Sequence, residues 1–183
     1  MKEISLNILD IAENSVKAGA SLTEIGITEN SEKLILSIKD DGSGMSEETV
    51  KSVIDPFFTT RTTRRVGMGI PLLKMAAEQT GGELTIKSKL KTDTSVDHGS
   101  IVTAVFNKNH LDYTPLGDVI STVTTLIQGH PDSDFLFIHT YMDKEIRLDT
   151  RELRGILEDV PLNTYEVISW ISSFLNEQYN GFY

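Results

Sequence analysis

The sequence contains no cysteine among its 183 residues. Disulfide scaffolds, thiolate metal sites and cysteine nucleophiles are therefore excluded. The sequence also lacks any apolar run that approaches the roughly 18 residues needed to span a bilayer, and no apolar stretch after Met1 could act as a signal peptide. We therefore expect a cytoplasmic protein without a membrane span.

Positive charge is scarce, because 17 Lys and Arg oppose 27 Asp and Glu and leave a net charge of −10. Neutralising a phosphate backbone needs a basic face, so this balance argues against a nucleic-acid partner. Residues 1–108 hold 13 basic and 15 acidic residues, a net charge of −2, whereas residues 109–183 hold 4 and 12, a net charge of −8. If the acidic segment meets a partner protein, we expect a basic contact surface on that partner.

The order of predicted elements changes near residue 108. Before that point, hydrophobic periodicity and turn residues predict a helix, two strands, two helices and two strands. The predicted helices cover residues 4–18, residues 46–54 and a segment that starts at GMGI and ends at Gly81 and Gly82. The predicted strands cover residues 23–29, 33–39, 84–88 and 100–106. Residues 1–108 therefore read as one domain.

A different pattern fills residues 109–183, which we expect to form a small α/β module docked on the first domain. A helix from Val119 to Gly129 and a hairpin over 134–148 precede two helices, for which capping boxes start at Asp149 and Asn163. Trp170 and Phe174, four residues apart on the last helix, are expected in the core.

A polar stripe follows the first predicted helix, and its members are Asn7, Asp10, Asn14 and Lys17. Asp10 and Asn14 lie one turn apart, so that a carboxylate and an amide oxygen would face the same volume. The carboxylate could orient or deprotonate a nucleophile, the amide suits Mg²⁺, and Lys17 could meet a phosphate. Taken alone, an ordinary solvated helix face also explains the stripe.

Two glycine-rich segments come next. Asp40, Gly42 and Gly44 end the second predicted strand, where glycines let a backbone approach a ligand and a carboxylate can accept a hydrogen bond from an exocyclic amine. A plain Asp-Gly turn is the alternative. The segment 67–70 opens a helix whose free amides and positive dipole end make an anion site.

Between these segments lies DPFFTTR, in which Phe57 and Phe58 would anchor a loop that carries Arg61, Arg64 and Arg65. Three arginines in an otherwise acidic chain suit a lid over phosphates, although a solvated surface loop is the alternative. The sequence has neither a P-loop nor a Gly-x-Gly-x-x-Gly motif, so the common nucleotide-binding folds are not indicated.

Together, in order and spacing, these segments resemble the GHKL or Bergerat-fold ATPase family of gyrase-type enzymes, mismatch-repair ATPases, sensor histidine kinases and anti-sigma-factor serine kinases. ILDIAENSVKAGA resembles its asparagine box, DDGSGM and GMGI its two glycine boxes, DPFFTTR the phenylalanine box of histidine kinases, and GSIVTAVF its closing strand. The resemblance covers about residues 4–107. It implies an α+β fold, a two-layer α/β sandwich, and ATP with Mg²⁺ as ligands.

Carried over to this sequence, the resemblance implies that Asn14 binds Mg²⁺ and that Asp40 recognises the adenine amine. Lys17 and the amides of residues 67–70 would hold phosphates under a mobile lid formed by residues 59–66. The implied nucleotide-binding positions are Asn14, Lys17, Asp40, Gly42, Gly44, Met45, Phe57, Arg61, Gly67, Met68, Gly69, Ile70 and Ser100.

Two positions depart from the family pattern. Asp10, the candidate catalytic residue, stands where the hydrolysing and serine-kinase branches have glutamate and histidine kinases usually have asparagine. Its shorter side chain could serve as a base, or could leave the carboxylate too far from the attacking water. Ser100 stands where the family usually has threonine near the adenine. Lys17 and the phenylalanine box favour the histidine-kinase branch.

Histidine phosphorylation is not expected in this chain. No helical hairpin with a phosphoaccepting histidine precedes helix 4–18, and no histidine falls on an exposed face of a predicted helix. The four histidines, which we expect to be structural, are His98, His110, His130 and His139.

The sequence therefore predicts an ATP-binding regulatory protein of histidine-kinase-like type that transfers phosphate from Mg-ATP to a partner protein in trans. A nucleotide-dependent conformational switch with slow or no hydrolysis is the alternative. A gyrase-like ATPase clamp would need a transducer domain and a dimer strap, for which residues 109–183 are too few.

Overall fold

A six-stranded mixed sheet is the framework of the part of the chain that the computed structural model describes, residues 3–55, 68–92 and 97–183. The strands are β1 (Leu22–Glu29), β2 (Lys33–Asp40), β3 (Glu83–Lys89), β4 (Gly99–Asn107), β5 (Asp134–Tyr141) and β6 (Lys144–Asp149). The helices are α1 (Ile4–Lys17), α2 (Glu47–Val53), α3 (Gly69–Gln79), α4 (Val119–Gly129), α5 (Thr150–Leu157) and α6 (Tyr165–Tyr179).

The sheet order is β3-β4-β2-β1-β5-β6, and alternation of apolar residues fixes which face is buried. Ile25 and Ile27 of β1, and Leu34 and Leu36 of β2, are buried, whereas the residues between them are half-buried or exposed. Helices α1, α3, α4 and α6 pack against this sheet, with α1 between α3 and α4. The predicted two-layer α+β fold is confirmed.

The parallel pairing of β5 with β1 joins residues 134–141 to the sheet that β1, β2, β3 and β4 form. All other neighbouring strands in the sheet are antiparallel. The segment between β4 and β5 also positions the start of α1, because the amides of Ile4 and Ser5 donate to the carbonyls of Pro115 and Leu116. The division into domains 1–108 and 109–183 stays a prediction.

The sequence predicts a capping residue for each of the last two helices, and the structure bears out one of the two predictions. Asp149 caps α5 as predicted, since its carboxylate accepts a hydrogen bond from the amide of Arg151 at 3.0 Å. The cap predicted at Asn163 is wrong, because the amide of Thr164 bonds back to Pro161 and this turn delays the start of α6 by one residue.

The prediction for the aromatic pair of α6 holds for one residue only. Phe174 packs against the core, but the Trp170 side chain stacked on it is 52% exposed. The spacing placed both residues on one helix face, whereas only the inner part of that face meets the sheet layer. Among residues 3–55, 68–92 and 97–183, no helix has the length and apolarity needed to cross a bilayer.

Candidate functional site

Asp10 lies against the first residue of α3. A Cβ built on Gly69 would stand only 2.9 Å from the Cβ of Asp10, so glycine is what lets these two helices approach this closely. The carboxylate therefore stands beside the positive end of the α3 dipole and its free amides. Partial desolvation raises the pKa of Asp10 above its ordinary value, against the lowering effect of Lys17, although the side chain keeps contact with solvent.

Asn14, one turn beyond Asp10, has an exposed side chain that forms no hydrogen bond with another described residue. Its amide oxygen is free to ligate a cation such as Mg²⁺. Within the described ranges, no cluster of three or more acidic or histidine side chains could hold a metal by itself. Asn14 thus fits a magnesium site in which phosphates and waters supply the other ligands.

Asn7 begins the polar stripe one turn before Asp10 and is buried. Its side-chain oxygen has no hydrogen-bond partner among the described residues. A buried amide oxygen without a partner costs free energy, and a bound water or ligand would satisfy it. The sequence analysis placed Asn7 on the stripe without assigning it a role.

Lys17 is held by a neighbour that the motifs did not single out. Its Nζ lies 3.2 Å from Oε2 of Glu13, and Oε1 of Glu13 accepts a 2.7 Å hydrogen bond from Nε2 of His130. The hydrogen bond from His130 is the main cause that lowers the pKa of Glu13, and Lys17 adds to it. Since the Lys17 side chain is half-exposed, its amine can leave Glu13 for a phosphate.

Asp40 is fixed by two donors at the end of β2. Oγ of Ser15, buried on α1, donates to Oδ2 at 2.9 Å, and the amide of Gly42 donates to Oδ1 at 3.0 Å. The remaining lone pairs of the carboxylate can accept a hydrogen bond from an amine. Ser15 directly follows Asn14, and this adjacency was the one sequence signal for its role.

A second polar cluster adjoins Asp40. The register of β2 and β4 sets Ser100 directly opposite Asp40, and the hydroxyl of Ser100 lies 2.8 Å from that of Ser88. Ser88 in turn accepts a 2.7 Å hydrogen bond from the amide of Met45. Ser88, which the sequence analysis did not select, therefore connects two predicted site residues, Met45 and Ser100.

A close backbone contact explains the glycine at position 44, and a hydrogen bond to the backbone fixes position 42. Gly44 has a φ of +68°, and a Cβ on it would overlap the carbonyl of Lys89. The carbonyl of Gly42 accepts a 2.8 Å hydrogen bond from Nδ1 of His98, which gives this histidine the structural role expected of it. The side chain thus ties the loop before β4 to the end of β2.

The structure gathers the predicted residues into two groups. Asp10 meets the start of α3, where Met68 is the N-cap and Ile70 the second residue, and Asp40 is paired in the sheet with Ser100 of the serine cluster. The predicted positions outside the described residues are Phe57, Arg61, Gly67 and the lid 59–66.

Comparison with known proteins identifies the family of the chain. Residues 2–110 match the family of histidine kinase-, DNA gyrase B- and HSP90-like ATPases. The sensor protein SrrB of Staphylococcus aureus is 35% identical in an alignment of 102 residues that covers 52% of this chain and 17% of SrrB. The matched part of this chain thus spans about a sixth of that relative's length.

Two solved structures share the fold. The ATPase domain of Aquifex aeolicus MutL, complexed with ADP, aligns with a TM-score of 0.56 at 13% identity over 86% of this chain and 70% of that domain. The N-terminal domain of a DNA repair protein aligns with a TM-score of 0.56 at 14% identity over 81% of this chain and 53% of that one. At these identities the likeness concerns the fold alone.

The sheet, the polar face of α1 and the glycine-flanked start of α3 define an ATP-binding domain of the Bergerat type. The chain belongs to the histidine kinase-, DNA gyrase B- and HSP90-like ATPase family, since the match covers more than half of it. The resemblance expected from the sequence boxes is confirmed.

Proposed function

We propose that this protein binds ATP with Mg²⁺ and transfers the γ-phosphoryl group to a hydroxyl of a partner protein in trans. The observation that carries the proposal is the contact between Asp10 and Gly69, the first residue of α3. It sets a carboxylate with a raised pKa beside an anion-binding helix terminus. A base and the phosphate it serves would then share one small volume.

The side chains divide the work by position. Asp40, oriented by Ser15 and Gly42, accepts a hydrogen bond from the adenine amine. The free amides at the start of α3 hold phosphate oxygens, and Lys17 adds a point charge. Asn14 would hold the magnesium ion, which when bound neutralises charge on the phosphates.

Asp10 acts on the acceptor. Its carboxylate takes the proton of the partner's hydroxyl as that oxygen forms a bond to the γ-phosphorus, and the bond from the phosphorus to the β-γ bridging oxygen breaks to release ADP. Because phosphoryl transfer depends mainly on positioning and charge neutralisation, the base has to lie within hydrogen-bond reach of the acceptor.

The test compares Asp10→Asn with the parent protein. We expect the variant to bind ATP with magnesium in isothermal titration calorimetry, with an affinity within about threefold of the parent. Label transfer from [γ-³²P]ATP to a protein in an extract of the source cells, and phosphate release, should both fall by about a hundredfold. Asp143→Asn, an exposed change in the β5–β6 turn, is the matched control.

Loss of ATP binding in the parent protein would refute the whole proposal. Full transfer by Asp10→Asn would refute the base and leave positioning as the source of the rate. Binding without transfer in any extract would favour the second candidate, a nucleotide-dependent conformational switch with slow or no hydrolysis.

The contact that favours the switch is the chain Lys17–Glu13–His130, which joins the phosphate side of α1 to the end of α4. If Lys17 turns to a phosphate, Glu13 loses one of its two partners and the hold on His130 changes. Hydrogen exchange at the end of α4 should then respond to ATP in the parent protein and not in Glu13→Gln.

A further inference from the structure

An open apolar groove lies between α5 and α6, at the opposite edge of the sheet from β3. Ile156 is 76% exposed, Trp170 is 52% exposed and Val160 is 49% exposed, and all three line this α5–α6 groove. Single exposed apolar residues are ordinary on a protein surface, but a set that lines one concave site marks a binding surface.

One wall of the groove is formed by apolar side chains of α5 and of the turn that follows it. Leu153, Ile156 and Leu157 follow the i, i+3, i+4 spacing on α5, and Val160, in the turn after the helix, also lines the groove. The cavity measures about 560 Å³. Because the groove is open to solvent, an amphipathic helix can lie in it along α5 and α6.

Charge at the groove rim has one sign. Glu166 lines the groove, and Glu158 and Asp159 lie in the turn between two other lining residues, Leu157 and Val160. All three acidic residues are exposed, and none forms an ion pair with another described residue. The two arginines of α5 are already engaged, Arg151 with Asp149 and Arg154 with Asp134. The rim therefore presents an uncompensated negative field to anything that enters the groove.

We propose that the α5–α6 groove binds an amphipathic helix of a partner protein, with an aliphatic face that covers Ile156 and Trp170 and basic residues that meet the acidic rim. The apolar walls would supply affinity, and the rim would select partners with Lys or Arg beside the aliphatic face. This surface is separate from the Asp10 site, so the inference does not depend on phosphotransfer.

Trp170, the one tryptophan of the chain, is a fluorescent reporter inside the groove. The probe is a synthetic helix of about 14 residues with leucines at i, i+3, i+4 and i+7 and lysines at its other positions. A second peptide keeps the leucines and replaces the lysines with glutamates. We expect the basic peptide to shift the Trp170 emission and to bind about tenfold or more tightly than the acidic one.

Two sets of variants separate the apolar from the charged contribution. Ile156→Ser should weaken the basic peptide by about tenfold, whereas Leu111→Ser, at an apolar side chain that is 97% exposed elsewhere, should leave it unchanged. Neutralising Glu158, Asp159 and Glu166 together, to Gln, Asn and Gln, should remove most of the preference for the basic peptide. Equal neutralisation of Glu32, Glu83 and Asp97 is the charge-matched control.

Three results would overturn the proposal. These are equal binding of both peptides, no emission change with either, and a concentration-dependent dimer in sedimentation that Ile156→Ser abolishes, since a second copy would then cover the groove. Far-UV circular dichroism and ATP binding of each variant report whether it is folded. A parent protein that binds the basic peptide but not ATP would refute the proposed function and leave this inference standing.

Discussion

Glu29 should set how the stability of this fold depends on pH. The side chain ends β1 and is 5% exposed. Its Oε1 accepts a hydrogen bond from Nε2 of His139 at 3.0 Å, and its Oε2 lies 2.6 Å from Nζ of Lys108. Nδ1 of His139 lies 2.7 Å from the hydroxyl of Tyr179, so this network joins β1, β5, α6 and the residue after β4.

Burial alone would raise the pKa of Glu29, but the hydrogen bonds from His139 and Lys108 outweigh it and lower the pKa from 4.5 to about 2. This difference corresponds to about 3 kcal/mol of folding free energy, at about 1.4 kcal/mol for each tenfold change. As the pH falls, the unfolded carboxyl takes up a proton first. The stabilisation is therefore complete above about pH 5 and is lost progressively as the pH falls towards 2.

Urea unfolding of the parent protein and of Glu29→Gln, from about pH 7 down to about pH 3, tests this reasoning. Near pH 7 the variant should lose about 2–4 kcal/mol, since it leaves Lys108 without its carboxylate partner. Below about pH 4.5 the gap between the two proteins should narrow by about 1 kcal/mol per pH unit, because the variant has no carboxyl to protonate. Free energies of unfolding that changed in parallel with pH in the parent protein and in Glu29→Gln would refute the argument. Glu24→Gln, which removes an exposed partner of Lys39, should change stability by less than about 1 kcal/mol.

Two further substitutions test contacts of the proposed nucleotide site. Gly69→Ala should push α3 away from Asp10, and so reduce the free energy of unfolding by about 1–3 kcal/mol and the ATP affinity by about tenfold. Gly155→Ala is the control, because no atom lies near its new Cβ. In urea unfolding it should stabilise the protein by about 0.5–1 kcal/mol through α5. Ser15→Ala removes a donor to Asp40 and should weaken ATP binding about fivefold to tenfold in calorimetry; an unchanged affinity would mean that Ser15 does not orient that carboxylate.

Each sequence box carries its own local signal, and that signal predicted the secondary-structure element on which the candidate residue lies. Asp10 lies one turn before Asn14 on an amphipathic helix, and Asp40 ends an alternating strand, so both positions follow from periodicity. That Ser100 faces Asp40 follows from strand register, which the alternating apolar pattern restricts to one face. For these residues, local pattern and tertiary position agree.

Residues that act through distant partners carried no such signal. His130 stands between a glycine and a proline, where nothing in the local sequence points to Glu13, and Ser88 sits in a strand that reads as ordinary alternation. The prediction that Trp170 lies in the core was wrong for a different reason. A helical spacing shows that two side chains share a face, but it does not show what covers that face. The sequence also carried no sign that β5 pairs with β1, because alternation shows which face of a strand is buried and not which strand lies beside it.

The contacts at the two ends of α1 bear on how the nucleotide site is held. At its start, the amides of Ile4 and Ser5 donate to the 115–116 backbone, and towards its end Glu13 bonds His130. Because a helix start leaves amides that need acceptors, the 115–116 segment meets a requirement that α1 cannot meet itself. The helix that carries Asp10 and Asn14 is therefore positioned from residues beyond 108 as well as from the sheet beneath it.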